Sequence, residues 1–374
     1  MKVIKTGGSF NVHDDNLVVL DQLPVGTYEV NFDPRAGYSL VSCECKEVNE
    51  KVYGVHTEKV EKILSSFEKF SRNLGVILSG DKGIGKSLTA KLITQRGMEL
   101  GIPVIIINSY TPGIAGYLAS IKQEVIVLFD EFDKTFNSGR SNDMGDPQTE
   151  MLTLFDGLTS GKKLFVVTCN DLHNLNDFLV NRPGRFHYHL RFDYPSATEI
   201  EQYLKDCIPE EMYGEIEAVV AFSRKVALNY DCLRAIAFEL SQGISFDEAI
   251  TDLNIININR ETYVAIAVFE DGSTEKKEVR IDMFDDEPVT LDFDCMIDGK
   301  SGYCYAEFAP SDSIYDREKM ATIIRSEDID IDYDMRGLWK KEIEEEWIEK
   351  CKKELRLSHI ILKRKQAKGI HYNV

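Results

Sequence analysis

The stretch of sequence that decides the fold reads Gly80-Asp81-Lys82-Gly83-Ile84-Gly85-Lys86-Ser87. It follows an apolar run, Gly75–Ser79, that predicts a buried strand, and it precedes a helical pattern from Leu88 to Leu100. Glycines let the backbone wrap a phosphate group, and the N–H groups at the start of a helix point at an anion. The stretch therefore predicts a phosphate-binding loop, in which Lys86 reaches the β- and γ-phosphates of a nucleotide and the Ser87 hydroxyl binds Mg²⁺.

An acid pair ends a second apolar run. Val125–Phe129 is followed directly by Asp130 and Glu131. This places two carboxylates at the carboxyl end of a predicted central strand, where open α/β sheets bind their ligands. We expect Asp130 to hold Mg²⁺ through water and Glu131 to polarise an attacking water molecule. The alternative, a strand that happens to end in surface acids, is disfavoured by the phosphate-binding loop earlier in the chain.

Further apolar runs, Val104–Ile107 and Leu164–Thr168, alternate with helical patterns. Continuous apolar strands separated by helices predict an α/β fold with a parallel sheet covered on both faces. Farther along, turn signals between apolar runs predict two hairpins, and a helical pattern runs from about Met335 to Leu355. We divide the chain into four segments: a small β-rich segment 1–50, a nucleotide-binding α/β domain 51–195, a helical lid 196–255 and a β-rich/α C-terminal domain 256–374.

The order of these motifs resembles that of the AAA+ ATPases, and within them the AAA proper subfamily. The resemblance also includes a strand ending in asparagine, Phe165-Val166-Val167-Thr168-Cys169-Asn170, followed by Asn181-Arg182-Pro183-Gly184-Arg185-Phe186. It covers about residues 50–195 and, more weakly, 196–250. The resemblance implies a P-loop AAA+ core with a helical lid, and a Mg²⁺-dependent ATPase.

The resemblance assigns roles to individual residues. Asn170 corresponds to sensor 1, a polar side chain that orients water near the γ-phosphate. Arg182 and Arg185 correspond to arginine fingers that reach the nucleotide of a neighbouring subunit, a task that suits the planar guanidinium fork. The implied ATP-binding residues are Gly80, Asp81, Lys82, Gly83, Ile84, Gly85, Lys86, Ser87, Leu88, Tyr53, Gly54 and Arg234, with Ser87 and Asp130 at Mg²⁺.

Arg234 belongs to Asp231-Cys232-Leu233-Arg234-Ala235-Ile236, which is similar to the helix start that carries sensor 2 in many AAA+ proteins. The AAA proper subfamily usually lacks that arginine, so the two resemblances disagree here. The alternative is an exposed helix arginine that pairs with Glu239 or a similar acid.

The sequence departs from the family at the loops that would line a ring's pore. Members that thread polypeptides carry an aromatic–hydrophobic–glycine loop, whereas Ile114-Ala115-Gly116 has an aliphatic residue in the aromatic place, with Tyr110 and Tyr117 on either side. This departure weighs against a grip on the substrate by intercalated aromatic rings and leaves open whether the pore threads a polypeptide. The polar, glycine-rich stretch 137–148 would be a second, flexible pore loop.

The whole chain has 374 residues and a formal net charge of −19, which argues against binding nucleic acid through its bulk surface. The lack of a long apolar run predicts no membrane span and a cytoplasmic location, in the host cytoplasm if the source is viral. The eight cysteines are interpreted as reduced thiols. The resemblance implies a homo-oligomeric ring, with six subunits as the family expectation, that remodels or assembles a protein partner.

The alternative function is a nucleic-acid-linked ATPase, such as a loader or a replication or packaging accessory. A basic stretch near the C-terminus, Lys363-Arg364-Lys365, and Arg234 as sensor 2 support it. An inactive ATP-binding scaffold is a third reading, which the presence of Lys86, Asp130 and Glu131 disfavours.

Overall fold

Most apolar runs of the first 194 residues form strands in the computed structural model, and seven of the strands make one sheet. The described residues are 1–44, 48, 51–54, 56–136, 146–156, 161–180, 182–255, 261–316, 319, 321–337 and 341–365. Numbered along the chain, the strands are β1 Lys2–Thr6, β2 Ser9–His13, β3 Thr27–Asp33, β4 Gly37–Cys43, β5 Leu74–Ser79, β6 Val104–Ile107, β7 Val125–Phe129, β8 Lys163–Cys169 and β9 Tyr188–Arg191.

The sheet has the order β4-β3-β6-β7-β8-β5-β9, and every pair except β3–β4 is parallel. All residues of β5 and β7 are buried, as expected for strands covered on both faces. The predicted parallel sheet is therefore confirmed. Since the carboxyl ends of parallel strands meet at one edge, the loops that follow β5, β7 and β8 lie together there.

Helices cover both faces of this sheet. The side chains of α1 (His56–Lys69) and α2 (Lys86–Glu99) join one buried cluster with the sheet. The helices α3 (Ile114–Ser120), α4 (Phe132–Thr135) and α5 (Pro147–Phe155) join the cluster on the other face. Both faces contribute because consecutive side chains of a strand point to opposite sides.

The N-terminal segment differs from the sequence-based division in one respect. Strands β3 and β4 form an antiparallel hairpin, and β3 pairs in parallel with β6, so residues 27–43 extend the large sheet. Only β1 and β2 make a sheet of their own among the described residues. The apolar run Val18-Val19-Leu20 is exposed and has no strand structure. The boundaries of the four segments otherwise stay a prediction.

The chain divides by its own contacts into two compact units, Met1–Tyr194 and Pro195–Val374. The second unit begins with four helices, α6 Ala197–Cys207, α7 Ile216–Lys225, α8 Tyr230–Ser241 and α9 Phe246–Asp252. Polar caps start three of them: Ser196 forms a capping box with Glu199, and Asn229 and Ser245 accept from backbone N–H groups of α8 and α9.

The remainder of the second unit is mostly antiparallel sheet. Its elements are β10 Glu261–Phe269, β11 Thr274–Ile281, β12 Val289–Ile297, β13 Lys300–Phe308, β14 Ile314–Asp316, β15 Ala321–Arg325, β16 Asp330–Met335, α10 Lys341–Glu354 and β17 Leu357–Arg364. The two predicted hairpins correspond to β10–β11 and β12–β13.

The predicted helix from Met335 begins too early in the chain. Met335 ends β16, an edge strand paired with β13, and the helix α10 starts at Lys341. Acidic residues alternate with apolar residues in this strand, so the two-residue period favours a sheet with one buried face. Trp347 of α10 is buried against Gly302, whereas Trp339 lies outside the described residues.

Candidate nucleotide-binding site

The predicted phosphate-binding loop connects β5 to α2. Gly80, Gly83 and Gly85 all have positive φ angles, of 143°, 75° and 96°. A Cβ atom at Gly80 would lie 2.4 Å from the carbonyl oxygen of Phe192, and side chains other than hydrogen are therefore excluded there. The start of α2 has no side-chain cap and no acidic residue in its first turn. Its N–H groups are thus available to an anion.

Lys86 is the first residue of α2 and is only 7% exposed. Its Nζ atom donates to the carbonyl oxygen of Gly80 at 2.8 Å and also to that of Asp81. Burial lowers the pKa of Lys86, while the charges of Asp130 and Asp133 act in the opposite direction. The loop carbonyls thus hold the ammonium group in place where a phosphate can replace them as its partner.

The other loop residues differ in exposure. Asp81, Lys82 and Ser87 are exposed, Ile84 is buried at 2% exposure, and Leu88 is half-buried. The Ser87 hydroxyl is therefore accessible at the N-terminus of α2. Together with the carboxylate of Asp130 it offers oxygen atoms, the donors that Mg²⁺ prefers. The residues present fit this ion.

The acid pair is organised by Thr168, a residue of β8 that is 1% exposed. Its hydroxyl donates to Oδ1 of Asp130 at 2.6 Å and accepts from the backbone N–H of Glu131 at 2.8 Å. Glu131 has a φ of 46°, in the left-handed region that side chains rarely adopt. One buried hydroxyl thus fixes both the carboxylate predicted to bind Mg²⁺ and the strained backbone of the predicted base.

Asn170 and Glu131 lie within contact distance of each other. Nδ2 of Asn170 is 3.4 Å from Oε1 of Glu131, which also accepts from Nζ of Lys134. The ion pair with Lys134 is the main reason that the pKa of Glu131 lies below its ordinary value. The carboxylate is therefore ionised at neutral pH and able to accept a proton.

Sequence reasoning missed Asp133, which positions the sensor-like asparagine. Asp133 lies on α4 and is 2% exposed. Its Oδ2 atom accepts from the backbone N–H groups of Asn170 and Asp171, each at 3.1 Å. A carboxylate between the buried rings of Phe132 and Phe136 was the available signal, because buried acids need partners. Thr168 belongs to the motif Phe165–Asn170, but only the folded structure shows that its hydroxyl bridges Asp130 and Glu131.

Tyr53 and Gly54, which the resemblance implies as ATP-binding residues, belong to the same unit as the loop. Tyr53 is buried, with the ammonium group of Lys51 5.3 Å from its ring centroid, and Gly54 has a φ of 72°. The next residue, Val55, lies outside the described residues. His56 follows, stacks on Phe192 and approaches Gly85, so this segment packs against the phosphate-binding loop.

The two candidate arginine fingers have different surroundings. Arg182 is exposed, and its guanidinium lies 5.5 Å from the ring centroid of Phe178. The Arg185 side chain is only 10% exposed. It contacts Asp156 through two nitrogen atoms, one at 2.8 Å, and donates to the carbonyl oxygen of Phe178 at 2.6 Å. Arg182 is therefore accessible to another subunit, whereas Arg185 is engaged within its own.

Arg234 lies in the second unit, on α8. Its Nη1 atom is 3.6 Å from Oδ1 of Asp231, and its side chain is 60% exposed. Asp231 is thus one acid that pairs with it. Its role as sensor 2 stays a prediction.

The segment predicted as a pore loop is anchored rather than free. Ile114 begins α3 and is 1% exposed. The hydroxyl of Tyr110 donates to Glu150 at 2.6 Å, and the ring of Tyr117 stacks on Tyr38 with centroids 5.0 Å apart. Because Ile114 is buried, its side chain is not exposed to contact a substrate chain. Most of the second predicted pore loop, residues 137–145, lies outside the described residues.

Comparisons with known proteins match the region that carries these motifs. Residues 76–194 match the model of the ATPase family associated with various cellular activities (AAA). The chain is 26% identical over 229 residues to the 26S proteasome regulatory subunit 6A of Saccharomyces cerevisiae, covering 54% of this chain and 51% of that protein. It is 28% identical over 251 residues to an AAA ATPase forming ring-shaped complexes of Corynebacterium kroppenstedtii, covering 52% and 44%.

A third similar protein is the ATP-dependent zinc metalloprotease FtsH 1 of Symbiobacterium thermophilum, 26% identical over 231 residues, covering 56% of this chain and 37% of that protein. The chain thus spans about half or less of the length of these relatives. In the part of the chain that the structure describes, no helix has both the length and the apolar composition needed to cross a membrane.

Proposed function

We propose that this chain, which belongs through residues 76–194 to the AAA family of ATPases, hydrolyses ATP with Mg²⁺ at the site between β5, β7 and β8. One observation carries the proposal most directly. Lys86, the Thr168-linked pair of Asp130 and Glu131, and Asn170 converge at the carboxyl edge of one parallel sheet. Phosphate contacts, metal contacts and a base beside a polar amide are what phosphoryl transfer to water needs.

Each residue has a separate task in this proposal. Lys86 and the N–H groups of the glycine loop bind the phosphates. The Ser87 hydroxyl and the Asp130 carboxylate hold Mg²⁺, which neutralises phosphate charge when bound. Glu131 accepts a proton from the attacking water. Asn170, whose amide lies beside the same carboxylate, orients that water.

Two substitutions test this division of tasks. Lys86→Ala should abolish ATP binding, because it removes the cation that contacts the ground-state phosphates. Glu131→Gln should keep binding and stop turnover, because it removes only the base. Nucleotide binding is measured by calorimetry and turnover by phosphate release. Wild-type turnover in Glu131→Gln would contradict the role of that carboxylate.

The proposal includes a homo-oligomeric ring in which Arg182 reaches the nucleotide of the next subunit. Its exposure supports this role, and the ring-forming relative from Corynebacterium kroppenstedtii supports the assembly. Six subunits are the family expectation. Arg185 would need to leave Asp156 to act in the same way, so we assign it first to stabilising its own subunit and only second to the neighbour's site.

A mixing experiment tests the contribution in trans. An arginine supplied by a neighbour can raise the rate by about 10³-fold or more. Mixtures of Lys86→Ala and Arg182→Ala subunits should regain activity, because an intact site can then meet an intact arginine. The control is a mixture of Lys86→Ala with Lys86→Ala,Arg182→Ala, which contains no intact site. Full turnover of a monomer, or no rescue in assemblies shown to contain both variants, would refute the assignment.

We further infer that the ATPase cycle remodels a protein partner. The proteasome subunit and the protease among its relatives have names that point to protein substrates, and the net charge of −19 suits a protein better than a phosphate backbone. In the basic stretch that suggested nucleic acid, Nζ of Lys365 pairs with Glu278. The test is capture of partners by Glu131→Gln with ATP. A partner retained equally with ADP, or turnover stimulated by DNA or RNA instead of protein, would contradict it.

Because Ile114 is buried, we assign partner selection to segments outside the ATP site, namely residues 1–50 and 256–374. The lid helices and the C-terminal strands belong to one compact unit. Surface substitutions in β12 or β16 are therefore a cleaner test than truncation at residue 255. Loss of partner stimulation with unchanged basal turnover is the expected result, and unchanged stimulation in all such variants would exclude these strands.

A further inference from the structure

A cavity of about 620 Å³ lies in the second compact unit, beside α7 and the C-terminal strands. Its volume falls within the range of small-ligand sites, roughly 300–1,000 Å³. Four aromatic side chains line it, those of Phe222, Phe246, Phe284 and Tyr315. The ring centroids of Phe222 and Phe246 are 5.4 Å apart, and those of Phe222 and Phe284 are 5.8 Å apart. The cavity therefore offers an apolar surface to the body of a ligand.

The last residue of α7, Lys225, brings a positive charge to this apolar lining. Its Nζ atom is 5.4 Å from the ring centroid of Phe284, and among the described residues no carboxylate pairs with it. Burial lowers the pKa of Lys225, since the charged form loses water without gaining a counter-ion. An anionic group bound in the cavity would supply the counter-ion that this ammonium group lacks.

A second donor without an acceptor lines the same cavity. Ser313 is 5% exposed, and its Oγ atom has no hydrogen-bond partner among the described residues. Buried hydroxyl groups are normally hydrogen-bonded, so an orphan at a cavity wall points to a missing acceptor. An ammonium and a hydroxyl group that both lack an acceptor match the two oxygen atoms of a carboxylate.

Two acids limit how much negative charge a ligand can carry. Glu217 and Asp247 also line the cavity. Glu217 lies eight residues before Lys225 on α7, which places the two backbone positions about 12 Å apart along the helix axis. A second anionic group near that end would be repelled. The lining thus selects a single anionic group next to Lys225 and an apolar body beyond it.

We propose that this cavity binds a monocarboxylate with an aromatic or aliphatic body, its carboxylate accepting from Lys225 and Ser313 and its body lying against Phe222, Phe246 and Phe284. The same chemistry is found in a free small molecule and in the C-terminus of a polypeptide that ends in an apolar residue. This site is separate from the proposed ATPase function, and its test does not use turnover.

The test is calorimetric titration of the full chain with two matched pairs of probes. The first pair is 3-phenylpropionate and its uncharged amide, 3-phenylpropionamide. The second pair is acetyl-Ala-Ala-Phe with a free C-terminus and the same peptide as its C-terminal amide. Each carboxylate should bind at least tenfold more tightly than its amide, because a hydrogen bond to a charged group is lost. Tighter binding of 3-phenylpropionate than of the peptide identifies a free small molecule as the ligand. Tighter binding of the peptide identifies a polypeptide C-terminus.

Variants locate the site. Lys225→Met keeps the apolar stem and should weaken carboxylate binding about tenfold or more, and Ser313→Ala should weaken it by a smaller factor. The matched control is Lys205→Met on α6, an exposed lysine outside the cavity. In both lysines the backbone carbonyl accepts from a tyrosine hydroxyl, at 2.9 Å in each case, so both substitutions leave that contact in place.

The outcomes separate clearly. Carboxylate binding that is lost in Lys225→Met and kept in Lys205→Met supports the site. No binding of either carboxylate, equal binding of carboxylate and amide, or equal loss in both lysine variants overturns it. Thermal unfolding of each variant is measured alongside; if Lys225→Met does not fold, Ser313→Ala together with the carboxylate-to-amide ratio in the wild type decides between these results.

Discussion

Replacing Thr168 with valine should disable the acid pair without changing the shape of the core. The substitution removes a hydroxyl that donates to Asp130 at 2.6 Å and accepts from the N–H of Glu131 at 2.8 Å. A hydrogen bond to a charged group is worth ~1.5–3 kcal/mol, and an N–H left without a partner costs ~1–3 kcal/mol. Because Glu131 is exposed and water can reach part of this site, we expect the free energy of unfolding to fall by ~2–4 kcal/mol.

The same substitution should also lower turnover, because it displaces the two carboxylates as well as destabilising the fold. The hydroxyl holds the backbone of Glu131 in its left-handed conformation, at a φ of 46°. Without it, both carboxylates can shift, and a displacement of about 1 Å can cost about 10²-fold in rate. We expect kcat to drop by about that factor, while ATP binding through Lys86 is largely kept.

The assay combines urea unfolding with steady-state turnover. The transition that nucleotide shifts to higher urea reports the first unit, since ligands stabilise only the state that binds them. Thr168→Ser is the control, because it keeps the hydroxyl and loses only a buried methyl group, worth ~1 kcal/mol. Wild-type kcat in Thr168→Val, or an equal loss of kcat in Thr168→Ser, would refute the reasoning.

Two other substitutions follow from the same geometry. Asp133→Ala removes the acceptor of two backbone N–H groups, so the free energy of unfolding should fall by ~2–4 kcal/mol and turnover should fall with it. Asp133→Asn keeps one side-chain oxygen and should therefore recover part of the lost stability and part of the lost turnover. The urea and turnover assays described for Thr168 measure both. Arg185→Ala loses a two-point contact with the Asp156 carboxylate, so its free energy of unfolding should be ~1–3 kcal/mol lower than that of wild type. Arg182 is exposed, so the free energy of unfolding of Arg182→Ala should stay within ~0.5 kcal/mol of wild type. Equal urea midpoints for the two variants would contradict the difference in their surroundings.

The candidate ATP site could be predicted from the sequence because each of its motifs is local. The glycine loop and its lysine occupy eight consecutive residues, and the acid pair directly follows its strand. The residue types and the spacing that such motifs need stand together in the sequence, so they can be recognised without knowledge of distant contacts. The resemblance to the AAA+ ATPases, carried by these stretches, is confirmed by the family match over residues 76–194. The two hairpins of the second unit were predictable for the same reason.

Tertiary structure decided which distant residues complete the site. Thr168 and Asp133 act across 37 or 38 positions of the chain, through the pairing of β7 with β8 and the packing of α4. Arg182 and Arg185 stand three apart on one turn, yet only Arg185 meets Asp156. No local pattern distinguishes these two arginines, because their difference arises from a side chain 29 positions away.

The same reason explains why β3 joins the large sheet and why Ile114 is buried. Both depend on strands and helices that are distant in sequence: β3 pairs with β6, and Ile114 packs in the cluster beneath β7. The sequence by itself predicted the candidate site residues and most of the elements that carry them, since these predictions rest on short-range periodicity and backbone conformation. Only the folded structure decided which side chains are exposed and which contacts they make, since the burial of a side chain depends on the residues that pack around it from the rest of the molecule.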